Sequence, residues 1–562
     1  MKQIFIITLF FTFLLCTNLL TASDTIKYSR IKIYGDAWSQ IAFYSQFDKD
    51  AAIDYIVLLT KELEIIEKNS QSDSIFNNSL DKIICFAENR GNIAIDSNIV
   101  ESSYKLICND LFDWIDSKFI EPEKQSYFRK IALYGIVKPE EVYTLIPPKL
   151  LTVESKKDKG FASLLNEIEI NDKFDVLSIY IYVFNAYKYL SNYPIDACNS
   201  DSIFYSFADK ILKIEDSKIN QSYGWIMMQI MSSQKDSHLM TSFNSWPTPL
   251  NSYIKLAIND TNVIVTTVAK DFGIRYGIKP GDKIFSISDT PVQIRNNYYK
   301  TLLEGSNTTV TNSRLANKTL IFNTNDTLVF FSTICDGQIH NHNINLNEIE
   351  SQPLPTDFFP DKFVILNDST SYINFGKCNN DEFAKYLEAS KKMTTVIIDN
   401  REYPSDIKIS DKWGKYIVSS DRIFRYMFVP CDNKPGYNYF DSTKLSVINN
   451  SRAQNKKAAK FKSNKKFYFL SSEQTISQGE FYLSYFVEAT GGTVVGRNTA
   501  GVPSNVRFFR LPSNINLTMS LLKVYDSDMN LISGQGILPN IYVKEDIVDY
   551  EQILKIIMIN ND

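Results

Sequence analysis

Residues 467–501 read FYFLSSEQTISQGEFYLSYFVEATGGTVVGRNTAG. The stretch begins with the apolar run Phe467 to Leu470, which has the composition of a buried strand. A polar turn follows, then an apolar helical pattern from Gln478 to Ala489, and then a second strand pattern from Thr493 to Gly496. Strands that alternate with helices are typical of an α/β core, so this stretch predicts an α/β layer in the last third of the chain.

Ser477 lies where the predicted helix of this stretch begins, and Glu480 follows three residues later. One interpretation is a capping box, in which the serine hydroxyl only caps backbone N–H groups. The other is a nucleophile, because a helix N-terminus places N–H donors and the positive end of the helix dipole beside a serine whose attack generates an oxyanion. The local sequence alone favours the cap.

The pattern of apolar and turn-forming residues divides the chain into three regions. From about Asp24 to Met240 the apolar residues recur at helical spacing, as in Ala51 to Leu59. From about Asn251 short β-type runs are separated by Gly and Pro, and from about Phe363 strand and helix patterns alternate. We therefore predict a multidomain α+β protein with a helical region over 23–248, a β-rich domain over 249–350 and an α/β core over 360–562.

The N-terminus has the pattern of an export signal. Lys2 precedes an apolar run from Ile4 to Leu15, and a small-residue site lies at Thr21-Ala22-Ser23. We expect residues 1–22 to be a signal peptide cleaved close to Ala22. An uncleaved anchor is the alternative, because the apolar run through Leu20 is near the lower length limit for a membrane span. The signal and the Lys- and Asn-rich composition favour the periplasm or outer surface of a bacterium.

Charge and cysteine usage exclude several classes of protein. The 60 basic and 64 acidic residues leave a net charge of −4, which argues against the phosphate attraction that nucleic-acid binding needs. With 44% hydrophobic residues among 562, the chain is globular and long enough for about three or four domains. The cysteines form no C-x-x-C pair, so we predict no metal and no cofactor. The oligomeric state stays open.

The β-rich domain contains the sequence GIKPGDKI at residues 277–284. Pro280 presets one turn dihedral, Gly281 allows positive φ, and the chain then enters a strand. This text resembles the turn and strand of a PDZ domain. The resemblance implies binding of extended peptide ends by strand addition at a sheet edge.

Several sequence segments together resemble the C-terminal processing (tail-specific) serine peptidases, most closely the tricorn-like and Bacteroides-type branch. They are residues 475–501 of the opening stretch, RLPSNINL at 510–517, GQGILPNIYV at 534–543, VIIDNREYPSD at 396–406 and QIMSSQKDSHLM at 229–240, the last resembling a helix that ends in D-x-H. The order of helical region, D-x-H, PDZ and catalytic core is also that of the family. The resemblance implies a ClpP/crotonase-like peptidase core and an exported serine endopeptidase acting on extended or C-terminal segments of peptides or unfolded proteins.

The resemblance also implies site residues. Ser477 maps onto the nucleophile, which needs a partner to take its proton. One branch of the family uses a lysine 25 residues later, but that position is Val502. Of the three histidines, His340 and His342 are predicted to be surface residues of one strand, whereas His238 matches the base of the tricorn-like branch. Ser237 matches a serine that orients the site.

Two parts of the implied site depart from the family pattern. Ser533 lies where a glutamate is expected, and Asp236, Asp526 and Asp528 are alternative third partners. Pro404-Ser405-Asp406 replaces the double glycine of the oxyanion loop, so the predicted donors are the backbone N–H groups of Ser405, or of Asp406 beside it, and of Gln478.

Loss of one oxyanion donor typically costs about 100- to 1000-fold in rate. A catalytically impaired or inactive relative that acts as a PDZ peptide-binding protein is therefore the alternative function. A purely structural surface protein is a third.

Overall fold

A computed structural model describes residues 21–45, 47–91, 95–96, 105–107, 110–133, 135–136, 168–192, 201–238, 248–259, 261–303, 305–322, 327–354, 359–418, 422–431, 434–445, 452–544 and 546–560. Residues 1–20 of the predicted signal peptide lie outside these ranges. Of the helices within them, none is both long and apolar enough for a membrane span.

The helices and strands within these ranges are as follows. The helices are α1 (Ala22–Tyr44), α2 (Lys49–Lys68), α3 (Asp73–Arg90), α4 (Pro122–Leu133), α5 (Lys173–Leu190), α6 (Asp201–Leu212), α7 (Ile219–Ser233), α8 (Lys270–Tyr276), α9 (Val292–Lys300), α10 (Thr308–Thr319), α11 (Asn380–Ala389), α12 (Asp411–Ile417), α13 (Arg452–Lys462), α14 (Gln478–Thr490) and α15 (Tyr550–Ile559). The strands are β1 (Ile95–Asp96), β2 (Lys105–Leu106), β3 (Gly135–Ile136), β4 (Ile254–Asn259), β5 (Asn262–Val268), β6 (Lys283–Ile287), β7 (Thr290–Pro291), β8 (Leu328–Cys335), β9 (Gln338–Asn345), β10 (Phe363–Asn367), β11 (Thr370–Asn374), β12 (Thr395–Asp399), β13 (Ile423–Pro430), β14 (Tyr437–Lys444), β15 (Lys466–Ser471), β16 (Thr493–Gly496), β17 (Val506–Leu511), β18 (Ile515–Ser520), β19 (Lys523–Asp526) and β20 (Ile541–Tyr542).

The N-terminal helices pack around α5, which is apolar on nearly every face and therefore buried along its length. Its one buried cation, Lys188, donates to the buried carboxylate of Asp36 on α1 at 2.7 Å, which satisfies both charges. The same apolar core includes Leu517, Met519 and Val524 from the C-terminal third of the chain. The β17–β18 hairpin and β19 thus pack on the N-terminal helices, although β17 begins more than 270 residues after the last of these helices ends.

The β-rich module over residues 250–349 is an antiparallel sheet with the strand order β4-β5-β6-β8-β9. The predicted strand at 283–287 is confirmed as β6. Gly277 ends α8 in the left-handed conformation at φ 67°, which glycine adopts without steric cost. The prediction that His342 is a surface residue is wrong: its side chain is buried in β9, with Nε2 2.9 Å from Thr333 Oγ1.

The C-terminal third contains a sheet with the strand order β10-β11-β12-β15-β16-β20. The strands from β11 to β20 run parallel, and β10 is an antiparallel edge. The predicted strand, helix and strand of residues 467–501 are confirmed as β15, α14 and β16. The carboxyl ends of β12 and β15 lie side by side, which is where parallel sheets place their ligand sites.

Gly496 ends β16 beside the carboxyl end of β15, at φ 127°. A Cβ at this position would lie 2.2 Å from the backbone oxygen of Ser471, so the two strands could not keep their spacing. We expect Gly496→Ala to lower the free energy of unfolding by about 3 kcal/mol, because overpacking and backbone strain combine.

Equilibrium urea unfolding measures this loss. Gly224→Ala is the matched control, since Gly224 lies inside α7 and a Cβ there meets nothing within 4 Å. The control should gain about 0.5 to 1 kcal/mol from the better helix propensity of alanine. Equal unfolding midpoints for the two variants would contradict the argument.

Candidate active site

Ser477 lies at the start of α14, just after the turn that leaves β15. The turn is held by Thr475, whose hydroxyl donates to the backbone oxygen of Asn400 at 3.0 Å. Ser477 itself has φ 54° and ψ −111°, whereas an ordinary N-cap residue has an extended backbone. Ser477 and Glu480 have the predicted capping-box contacts. Strained residues also cluster at functional sites, so the conformation favours a reactive serine in addition to the cap.

Glu480 is completely buried and ties the start of α14 to the loop after β16. Its carboxylate accepts hydrogen bonds from the N–H groups of Ser477 at 3.2 Å, Gly501 at 2.7 Å and Val502 at 2.8 Å, and from the Thr499 hydroxyl. Burial raises the pKa of Glu480 to about 7, and the four donors oppose this shift. One side chain therefore fixes both the residue at 477 and the loop beside it.

His238 follows α7 and meets the carboxyl end of β18. Its ring Nδ1 lies 2.8 Å from the Ser520 hydroxyl, and that hydroxyl lies 2.8 Å from Asp236 Oδ1. The buried Asp236 carboxylate also accepts from the N–H of Ser520 at 2.7 Å and of His238 at 3.0 Å. The Thr518 hydroxyl donates to the backbone oxygen of His238. Asp236, Ser520 and His238 thus form a continuous polar chain.

Burial sets the charge states of this polar chain. It lowers the pKa of His238 to about 3, and the positive charge of Arg314 acts in the same direction. It raises the pKa of Asp236 to about 6, against the hydrogen bonds from Ser520 and His238. At neutral pH the imidazole is therefore neutral, with one ring nitrogen unprotonated, while most of Asp236 is ionised.

The loop between β16 and β17 connects Ser477 with His238. One end of the loop, at residues 499–502, is held by Glu480. The other end contributes Ser504, whose hydroxyl accepts from the N–H groups of Leu521 and Leu522 at 2.8 and 2.7 Å, directly after Ser520. Within the described ranges, no hydrogen bond joins Ser477 to His238 itself.

The two serines predicted to orient the site, Ser237 and Ser533, have hydrogen-bond partners other than His238. The Ser237 hydroxyl accepts from the N–H of Ser306 at 2.8 Å and pairs with the Ser306 hydroxyl at 2.7 Å. Ser533 Oγ accepts from the N–H of Val524 at 2.9 Å and donates to the backbone oxygen of Leu522 at 3.3 Å. The side chain at the imidazole is Ser520, which no sequence motif indicated.

The two predicted oxyanion donors differ in whether their N–H groups already donate to another residue. Gln478 is the first residue of α14, and no described residue accepts from its N–H. The N–H of Ser405 instead donates to the backbone oxygen of Tyr403 at 3.0 Å. The Pro404 ring lies 3.9 Å from where a Cβ on Gly479 would stand, so this loop does border the start of α14. One donor is available in this conformation and the other is engaged.

The β-rich module contacts both sides of the site. Val310 on α10 is buried together with Ala500 and Val502 of the loop after β16. Arg314, one turn further along α10, donates to the backbone oxygen of Ser237 at 2.6 Å. The module is therefore packed against the segments that carry His238 and hold Ser477.

Residues 370–543, which include Ser477, match the sequence profile of peptidase family S41. This segment is similar to an S41 peptidase domain. The match confirms the predicted serine peptidase, a hydrolase that acts on peptide or protein substrates. His238 and Asp236 lie outside the matched residues, in the segment before the β-rich module.

Several solved structures are similar to this chain. Mature CPAF complexed with lactacystin is 11% identical, with 69% of this chain and 99% of that chain covered and a TM-score of 0.49. The photosystem II D1 C-terminal processing protease is 11% identical, with coverages of 69% and 97% and a TM-score of 0.36. The tricorn protease is 12% identical, with coverages of 69% and 37% and a TM-score of 0.28. No curated protein matches the sequence.

Proposed function

We propose that the chain is an exported serine endopeptidase that hydrolyses peptide bonds in extended or C-terminal protein segments. The backbone conformation of Ser477 carries the proposal. A serine at φ 54°, at the first turn of a helix and at the carboxyl end of a parallel sheet, has the setting of a nucleophile. The available N–H of Gln478 beside it supplies one donor for the oxyanion.

In the proposed reaction His238 acts as the general base. Its Nε2 takes the proton of Ser477 while Oγ attacks the peptide carbonyl, and the oxyanion turns toward the N–H of Gln478. The imidazolium then returns the proton to the leaving amine, and water hydrolyses the acyl-enzyme by the reverse sequence. The step requires Nε2 and Oγ to approach to about 2.6 to 3.2 Å when substrate binds.

The β-rich module acts as a PDZ domain in this proposal. Strand β4 is an edge of its sheet, so an extended peptide can add to it as a further strand. Because α10 packs against the loop after β16, a segment bound to this module would lie near the part of the chain that holds Ser477. The N-terminal signal pattern supports a location in the periplasm or on the outer surface of a bacterium, and the motifs support the tricorn-like and Bacteroides-type branch.

The second candidate function is an inactive relative that binds peptides through the PDZ-like module. The observation in its favour is the oxyanion loop, where the N–H of Ser405 donates to Tyr403 and Pro404 stands in place of glycine. With only one oxyanion donor, turnover falls by about 100- to 1000-fold.

Labelling with a fluorophosphonate distinguishes the two functions. We expect one label per chain, located by peptide mass spectrometry on Ser477, because only an activated serine attacks the phosphorus. Ser484, on the same helix, serves as the internal control and should stay unlabelled. A folded chain that binds extended peptide but takes up no label at Ser477 would favour the inactive binder.

A further inference from the structure

The hydroxyl of Ser520 stands between a carboxylate and an imidazole, and it has only one proton to share. An ionised Asp236 can only accept, so the Ser520 proton points to Oδ1, at 2.8 Å. The lone pairs of the same oxygen then face Nδ1 of His238, also at 2.8 Å. Nδ1 must therefore carry the ring proton, which leaves Nε2 with a free lone pair. That is the tautomer a general base needs.

We propose that Ser520 and Asp236 are positioning residues that hold His238 in the Nδ1-protonated tautomer and stabilise the imidazolium after it takes a proton from Ser477. The inference rests on the proposed function. Ser533 was predicted to orient the site. The inference gives this orienting role to the Ser520 hydroxyl and the Asp236 carboxylate, which come from separate parts of the chain.

The hydroxyls of the two serines predicted for this role have other hydrogen-bond partners. Ser533 uses its hydroxyl on the backbone of Val524 and Leu522, within the turn around β19. Ser237 uses its hydroxyl on Ser306 of the β-rich module. Ser520, by contrast, is fully buried, with its backbone oxygen accepting from the Ser191 hydroxyl at 2.6 Å after the end of α5. The segment that follows α5 thereby holds the end of β18 in place.

Charge gives Asp236 a second effect. Among the residues that the structure describes, the charged and titratable groups around His238 are Asp236 on its own segment and Arg314 on α10, while β18 contributes the uncharged Thr518 and Ser520. Arg314 disfavours the imidazolium, and so does burial. Asp236 supplies a negative charge that acts in the opposite direction, through one intervening hydroxyl.

Each proton is accounted for in the proposed step. The Ser477 proton moves to Nε2 as the bond from Oγ to the carbonyl carbon forms and the carbonyl electron pair moves to oxygen. The same proton passes from Nε2 to the leaving nitrogen as the C–N bond breaks. Ser520 keeps its proton throughout, and Asp236 stays ionised. The polar chain orients the imidazole and stabilises its charge, and it transfers no proton.

The kinetic test uses Ser520→Ala in the full-length chain. We expect kcat to fall by about 10- to 100-fold with KM within about twofold, the usual size of effect when an orienting partner is removed. Ser520→Thr restores the hydroxyl and should recover most of the loss. Ser527→Ala, from the turn after β19, is the matched control and should keep the wild-type kcat. An unchanged kcat in Ser520→Ala, or a loss that Ser520→Thr leaves in place, overturns the inference.

The pH dependence of kcat distinguishes a positioning role from a purely structural one, because a purely structural role would leave it unchanged. In the wild type, kcat should decrease as pH falls through about 6, because Asp236 gains a proton there and no longer stabilises the imidazolium. Asp236→Asn should abolish this step. A step of the same size and midpoint in Asp236→Asn would overturn the assignment of Asp236.

The tautomer can be read without turnover, by ¹⁵N NMR of the chain labelled at its three histidines. We expect His238 to be protonated at Nδ1 in the wild type and to shift toward the Nε2 tautomer in Asp236→Asn, because an asparagine N–H₂ can turn the Ser520 proton toward the ring. A wild-type His238 protonated at Nε2 would overturn the inference. Absence of hydrolysis by a chain with the expected tautomer would instead reject the proposed function.

Discussion

Ser477→Ala lowers kcat for cleavage of an unfolded protein by about 10⁴- to 10⁶-fold, the loss expected when a serine peptidase has no nucleophile. The fold should survive, since the hydrogen bond from the N–H of position 477 to Glu480 is kept by alanine and only the hydroxyl half of the capping box is lost. Circular dichroism and the unfolding midpoint should therefore match the wild type within about 1 kcal/mol. The measurement is the rate of product formation under saturating substrate.

Ser484→Ala is the matched control for this experiment. Its hydroxyl lies on the same helix and donates only to the backbone oxygen of Glu480, at 3.0 Å, a bond within the helix. We expect wild-type turnover from the control. If Ser477→Ala cleaves the substrate at the wild-type rate, Ser477 is not the nucleophile, and the capping-box interpretation of this residue is correct.

Glu480→Ala should lower the free energy of unfolding by about 3 to 5 kcal/mol, the cost of leaving several buried hydrogen-bond donors without their acceptor. The change leaves one hydroxyl, on Thr499, and three N–H groups without their acceptor. Fluorophosphonate labelling of Ser477 should fall as well, because the start of α14 and the loop after β16 lose their common anchor.

Equilibrium unfolding in guanidinium chloride measures this effect. Glu388→Ala is the control, since Glu388 is an exposed acid near the end of α11 whose ion pair with Lys391, at 3.1 Å, is exposed too, and its loss should change stability by at most about 1 kcal/mol. A Glu480→Ala protein as stable as the control would show that the four donors find other partners.

The stability contribution of Glu480 also depends on pH. Its pKa is raised from 4.5 to about 7 in the folded state, so the folded protein holds this proton more tightly than the unfolded chain. The free energy of unfolding should therefore decrease as pH rises from about 4.5 to about 7. This component should be missing from Glu480→Ala and present in Glu388→Ala.

The types and order of the elements around the site could be predicted from local patterns. Three predicted elements are confirmed: the strand at 467–470, the helix from Gln478 and the strand at 493–496. They could be predicted because strands and helices each have a characteristic hydrophobic periodicity over neighbouring residues. The place of Ser477 at the first turn of a helix follows from the same patterns, and the family motifs around it agree with the S41 match.

The partner of the imidazole was decided by the tertiary structure. Ser520 and Ser533 are both buried serines in the last third of the chain, and neither has a local pattern that distinguishes it. Ser520 meets His238, 282 positions earlier, because β18 packs on the N-terminal helices and its end is bonded to the chain after α5. Contacts of this kind depend on how distant elements dock. The sequence alone determined the elements and the nucleophile candidate, and the packing of β18 determined which hydroxyl and which carboxylate face the base.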